Sequence, residues 1–215
     1  MKFALTTLAD DLGGRLVGEP GTVDGATIDS RSDVAGRLFV PIVAARDGHQ
    51  FIPDAVSAGA AAYLTAQPPR SDLDVPAIVV DDTAAALTAL GSIARQRLTG
   101  PVIGITGSVG KTSVKDLTLA ACRAAGPAWA SAASFNNELG VPLTLANAPE
   151  GDGVTIVEMG ARGIGHIAEL CQVAKPTIGL VTCVALVHSA LFGSLAEVAR
   201  GKGEIDREEK VIVCV

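Results

Sequence analysis

Aromatic residues make up only 3% of the 215-residue chain, with one Trp and one Tyr. Yet 48% of it is hydrophobic, so its core has to be built from Ala, Val, Leu and Ile. That composition suits a parallel sheet buried between helices and argues against extended disorder. Basic runs and basic–aromatic interleaving are missing. With a net charge of −6 and a pI near 5.0, nucleic acid is a poor partner. The four cysteines, Cys122, Cys171, Cys183 and Cys214, lie too far apart for a metal knuckle. No secretory signal is expected at the start, because Met1 to Thr7 is short and is followed by Asp10 and Asp11. Reduced thiols and a cytoplasmic location are therefore expected. The one long uncharged stretch, Pro176 to Ala196, is interrupted by Gly179, Thr182, His188, Ser189, Gly193 and Ser194. Its most apolar part, Ile178 to Val187, is too short to span a bilayer, so it reads as a buried strand followed by a loop.

The chain does hold strands alternating with helices. Thr6 or Thr7 is expected to cap a first helix ending at Gly13-Gly14. Short strands follow at Thr27-Ile28 and Leu38 to Ile42, around a polar turn at Asp29 to Asp33. A small-residue helix is read over Asp54 to Ala61, then strands at Ala62 to Leu64 and Ala77 to Val80. Asp82 or Thr83 caps a helix with Leu87, Leu90, Ile93 and Ala94 on one face. Thr99-Gly100-Pro101 reads as a linker between domains 1–98 and 99–215. Beyond it come strands at Val102 to Ile105, Thr155 to Val157, Ile178 to Val184 and Val211 to Val215. The expected helices are Thr112 to Ala125, Ile164 to Val173 and Ala196 to Ile205. This is an α/β fold with a mostly parallel sheet and no internal repeat. The run stops in an apolar strand, so further sheet is expected in a longer protein.

Thr106-Gly107-Ser108-Val109-Gly110-Lys111-Thr112-Ser113 follows a strand and opens a helix. Glycines let the backbone close on a phosphate, and successive N–H groups and the helix N-terminus face the anion. Lys111 suits the β/γ phosphates of ATP, and the Thr112 hydroxyl suits Mg2+. The strict pattern has Gly where Ile105 stands, so the loop is a variant. Glu158 closes a strand at the sheet's ligand-binding end. It reads as a metal ligand or as a solvated strand-end acid. His188 reads as a further ligand or as a packed or exposed imidazole. Lys202 by itself reads as an exposed helix lysine, and Asn136-Asn137 as a turn.

These segments, with Ser134 to Pro142 and Glu158-Met159-Gly160-Ala161, resemble the Mur ligases of peptidoglycan synthesis, most closely the MurF type. Asp29-Ser30-Arg31, Gly36 to Val40 and Asp47-Gly48-His49-Gln50-Phe51 are similar to that family's N-terminal uridine-nucleotide domain. The resemblance implies an ATP- and Mg2+-dependent amide ligase acting on UDP-N-acetylmuramoyl-tripeptide and D-alanyl-D-alanine. It implies that Lys111 and Thr112 bind ATP phosphates and metal, that Glu158 and His188 ligate Mg2+, and that Lys202 is carbamylated and helps to hold metal. It places Asn136 and Asn137 beside the ATP site, and Ser30, Arg31, Asp47 and His49 on the UDP-sugar. The family has three domains. A C-terminal domain lies outside these 215 residues, so the short chain is expected not to ligate alone. Cys183 stands where the family usually has Asn, and Gly201 where it has Ala. A non-catalytic module that holds nucleotide or UDP-precursor is the alternative.

Overall fold

A computed structural model describes residues 1–131, 134–185, 194–206 and, by backbone alone, 211–213. His188 and Cys214 lie outside the described residues. The chain divides into two compact units, Met1–Ile93 and Ala94–Val215.

The first unit opens with β1 (Lys2–Ala4) and α1 (Leu5–Asp11). Ala4 occupies the N-cap of α1, with no side-chain bond. Thr6 and Thr7 therefore lie inside the helix instead of capping it, because Leu5, Leu8 and Ala9 must face the core. β2 (Arg15–Val17) and β3 (Thr22–Asp24) follow, and β1 pairs antiparallel with β3. β4 (Ala26–Thr27), β5 (Leu38–Phe39), β6 (Ala62–Thr65) and β7 (Ala77–Val79) run parallel, and β2 joins them antiparallel in the order β2-β7-β6-β5-β4. β5 ends at Phe39, short of the expected Ile42, where the chain turns around a cavity described below. α2 (Ile52–Ser57) starts two residues earlier than read and stops before Gly59. A 3-10 turn, Gly48–Phe51, leads into it. Asp82 accepts the N–H groups of Ala84 and Ala85, capping α3 (Thr83–Gln96). Thr83 instead sends its hydroxyl to the Pro41 carbonyl.

The second unit is a five-stranded, all-parallel sheet. Its strands are β8 (Val102–Thr106), β9 (Ala128–Ala130), β10 (Val154–Glu158), β11 (Ile178–Val181) and β12 (Val211–Val213), in the order β12-β11-β8-β10-β9. Its helices are α4 (Lys111–Ala125), α5 (Gly140–Asn147), α6 (His166–Ala174) and α7 (Leu195–Gly203). Ile103, Ile105, Ala130 and Ile156 pack on one side against Val114, Leu119 and Cys122 of α4. Strand direction is constant but strand order reverses about β8, so the carboxyl ends of β8, β10 and β11 meet at a switch point. Ligands enter parallel sheets at such points. Among the described residues no helix is long and apolar enough to cross a membrane.

Candidate nucleotide site and an N-terminal cavity

The loop after β8 owes its shape to two glycines. Gly107 has φ +148° and Gly110 φ +82°, values that side chains resist. A Cβ on Gly107 would lie 2.0 Å from the Thr182 hydroxyl, so only glycine fits. Thr182 in turn donates that hydroxyl to the Val109 carbonyl at 2.6 Å. Ser108 adds a clasp. Its N–H goes to Cys183 O at 2.9 Å, and its hydroxyl both donates to Ala185 O and accepts from Ala185 N. The glycine loop and the chain leaving β11 are thus one hydrogen-bonded body. The bond at residue 183 is made by backbone, so Cys183 preserves it.

Lys111 opens α4 and reaches back to Gly107 O at 3.0 Å. One residue on, the Thr112 hydroxyl donates to Glu158 Oε2 at 2.9 Å and lies 3.2 Å from Ser134 Oγ. Asn136 Nδ2 donates to Glu158 Oε1 at 2.8 Å. Glu158 is 1% exposed, so it is no solvated strand-end acid. Register explains its place: it pairs with Ile105, beside the start of the loop. Residues 110–113, Ser134, Asn136 and Glu158 enclose an open cleft of about 380 Å³. Asn137 is not among its walls. Its side chain instead accepts the Gly140 N–H and starts α5.

Lys202 departs most from its reading as an exposed lysine. Only 4% of it is exposed. Burial, and then the nearby Lys111 cation, lower its pKa from 10.5 to about 8, with Glu204 acting in the opposite sense. Lys115, with no motif to mark it in the sequence, is 1% exposed. It donates to Ser131 O at 2.7 Å, pinning the end of β9 to α4 where the chain leads towards Ser134. Its spacing of four from Lys111 was the available signal, since it sets both lysines on one helical face.

The group that would fill this cleft can be tested on the donor set. A hydroxyl and a carboxylate are hard oxygen donors suited to Mg2+. The Thr106 hydroxyl, at the mouth of the loop, is 0% exposed and, among the described residues, is the buried side-chain polar atom that lacks a partner. Both features fit a magnesium nucleotide. No cluster of three or more His, Cys, Asp or Glu occurs among the described residues. The Glu158 carboxylate and the Thr112 hydroxyl are the paired oxygen donors that this cleft offers.

In the first unit, a cavity of about 650 Å³ is lined by Ser30, Arg31, Phe39, Arg46, Phe51 and Asp54, among others. Arg31 is held in place by both carboxylate oxygens of Asp29, at 2.9 and 3.1 Å. That side-chain bond is the main reason that the pKa of Asp29 is lowered and that of Arg31 raised. Arg46 stacks over the Phe51 ring at 5.5 Å. Asp47 and His49 do not line the cavity. Asp47 Oδ1 accepts from the His49 backbone N at 2.9 Å and lies 2.6 Å from His49 Nδ1. The first of these bonds is the leading cause of Asp47's lowered pKa. His49 Nε2 accepts the Ala66 N–H at 3.1 Å, so the ring's proton sits on Nδ1. The pair fastens the cavity's wall to the end of β6.

Comparison with known proteins fits this geometry. The Mur ligase middle domain matches residues 105–213. The UDP-N-acetylmuramoyl-tripeptide–D-alanyl-D-alanine ligase of Escherichia coli is 40% identical over 207 residues, covering 95% of this chain and 45% of that protein. The enzyme of the same name from Synechocystis is 40% identical over 205 residues, covering 94% and 43%. The chain thus spans less than half the length of these relatives. A crystal structure of MurF from Acinetobacter baumannii superposes with a TM-score of 0.86 at 26% identity, over 99% of this chain and 49% of that one. MurF from Thermotoga maritima in complex with ADP gives 0.74 at 27% identity, over 89% and 45%.

Proposed function

From the premise that the chain belongs to the Mur ligase family, we propose that it carries the UDP-precursor and MgATP sites of a MurF-type ligase. That enzyme joins D-alanyl-D-alanine to UDP-N-acetylmuramoyl-tripeptide in peptidoglycan synthesis, a cytoplasmic reaction. The observation that carries the reading is the meeting of Lys111, Thr112, Asn136 and Glu158 at the carboxyl ends of β8 and β10. Residues 1–98 form the precursor-binding domain and 99–215 the nucleotide-binding domain.

ATP's γ-phosphoryl passes to the free carboxylate of the tripeptide, giving an acyl phosphate and ADP. The amine of D-alanyl-D-alanine attacks the acyl carbon, phosphate leaves, and the amine loses a proton as the amide forms. Bound Mg2+ supplies neutralisation of charge on the transferred group. Thr112 and Glu158 would hold it, and His188 and a carbamylated Lys202 would be the further ligands. Lys111 cradles the phosphates with the loop N–H groups, and Asn136 fixes Glu158. Lys202 is suited to carbamylation because a buried amine with a pKa of about 8 is partly neutral near pH 7.5, and the neutral amine adds CO2. In the N-terminal cavity, Arg31 and Ser30 bind the UDP-sugar, while Asp47 and His49 support the wall.

Calorimetric titration with UDP-N-acetylmuramoyl-tripeptide tests the assignment. Saturable binding that Arg31→Ala weakens is expected. A folded chain that binds MgATP but not this precursor would reduce the assignment to a nucleotide module.

A further inference from the structure

We infer that Glu204 is the positioning residue for Lys202. The inference rests on the reading of Lys202 as the carbamylated metal-site lysine, and it deepens that reading by naming what holds the lysine in place. A lysine reaches its site through four rotatable bonds, so a usable amine needs a fixed backbone beneath it. Lys202 lies in the last turn of α7, one residue before its end at Gly203. Two anchors follow at once. The Glu204 carboxylate takes the N–H of Gly165 at 2.6 Å and of Ala168 at 3.1 Å. These are N-terminal donors of α6, whose own N-cap is Gly165 and offers no side chain. Next, Ile205, 5% exposed, fills a hollow that two glycines leave in the sheet. A Cβ on Gly104 or on Gly179 would come within 3.2 Å of the Ile205 side chain.

The helix that carries Lys202 is therefore tied through Glu204 to α6. The stretch leading into α6 starts at Glu158, the other arm of the metal site. One carboxylate sets the spacing between the two arms.

The test uses the whole chain with 13C-bicarbonate and MgATP. Carbon NMR reads carbamate occupancy, with Lys202→Ala defining the background, and calorimetry reads Mg2+-dependent nucleotide affinity. Glu204→Gln is expected to lower occupancy and Mg2+-dependent affinity about tenfold, the usual scale for loss of a residue that orients a metal ligand. Glu204→Asp, with its charge kept, should fall between Gln and wild type. Ile167→Val, in the core of α6, should lower stability without changing occupancy. Should Glu204→Gln not fold, Glu204→Asp carries the test by the same criterion of reduced occupancy. Wild-type occupancy in a folded Glu204 variant, or an equal loss in Ile167→Val, overturns the positioning role alone. No carbamate in the wild-type chain overturns the reading of Lys202 and the inference together.

Discussion

Replacing Gly107 by Ala should unfold the second unit far more easily than replacing Gly110 by Ala, three residues away. Both glycines have positive φ, so both variants carry backbone strain of about 1–3 kcal/mol, partly offset by about 0.4–1 kcal/mol from a stiffer unfolded chain. They differ in space. At Gly110 the nearest atom to a new Cβ is Thr182 Cβ at 4.0 Å, an ordinary contact. At Gly107 the new Cβ would lie 2.0 Å from Thr182 Oγ1 and 3.1 Å from the backbone N of Thr182 and Cys183. Thr182 must then leave, breaking its 2.6 Å bond to Val109 O at about 1 kcal/mol and pushing on β11 itself. The predicted gap between the variants is about 2 kcal/mol, or roughly 6–10 °C in Tm for a unit of this size. The single Trp, Trp129 on β9, reports this unit selectively, so thermal unfolding by Trp fluorescence is the assay. Melting of the two variants within about 2 °C of each other would mean that close approach to Thr182 does not set the cost at Gly107.

Other outcomes follow from the same geometry. Glu158→Gln should keep a Thr112 contact and fold, yet lose about 10–100-fold in Mg2+-dependent ATP affinity, read by titrating ATP at varied Mg2+. Asp29→Ala releases Arg31 from its clamp and should weaken UDP-precursor binding about tenfold while leaving MgATP binding unchanged, both by calorimetry. Lys202 has a folded pKa depressed to about 8, so between pH 8 and 10.5 the unfolded chain binds the extra proton and wild-type stability rises with pH. In CO2-free buffer, the stability margin between wild type and Lys202→Met should therefore shift in favour of wild type as pH rises from 8 towards 10.5. Urea midpoints at pH 7 and 9.5 would show a constant margin if the depression were absent.

The alternation of strands and helices and the glycine loop between β8 and α4 were legible because each has a strong local signature. Period, glycine placement and Lys111-Thr112 all point the same way. β1, β2, β3, β9 and α5 were missed. The four strands are three residues each, too short to show a period, and β9 is rich in Ala. α5 is buried along nearly its whole length, from Gly140 to Ala146, so it lacks the polar face that marks a surface helix. Side-chain roles set by long-range packing were less legible still. Lys202 and Lys115 look like solvent lysines in sequence, and only the layers over the sheet bury them. Asp47 and His49 sit in a motif beside the cavity, but their bonds to each other and to Ala66 turn them away from its lining. Glu204 carried no signal, because its partners lie 36 and 39 residues away.

Lys111 and the loop before it are proposed to form a phosphate site. Calorimetric titration of MgATP into the wild-type chain and into Lys111→Ala is the decisive measurement. A phosphate site there gives saturable, Mg2+-dependent binding to the wild type and loses it in a variant that still shows the wild-type Trp129 melting curve. Equal binding by both chains, or none by a folded wild type, would contradict it.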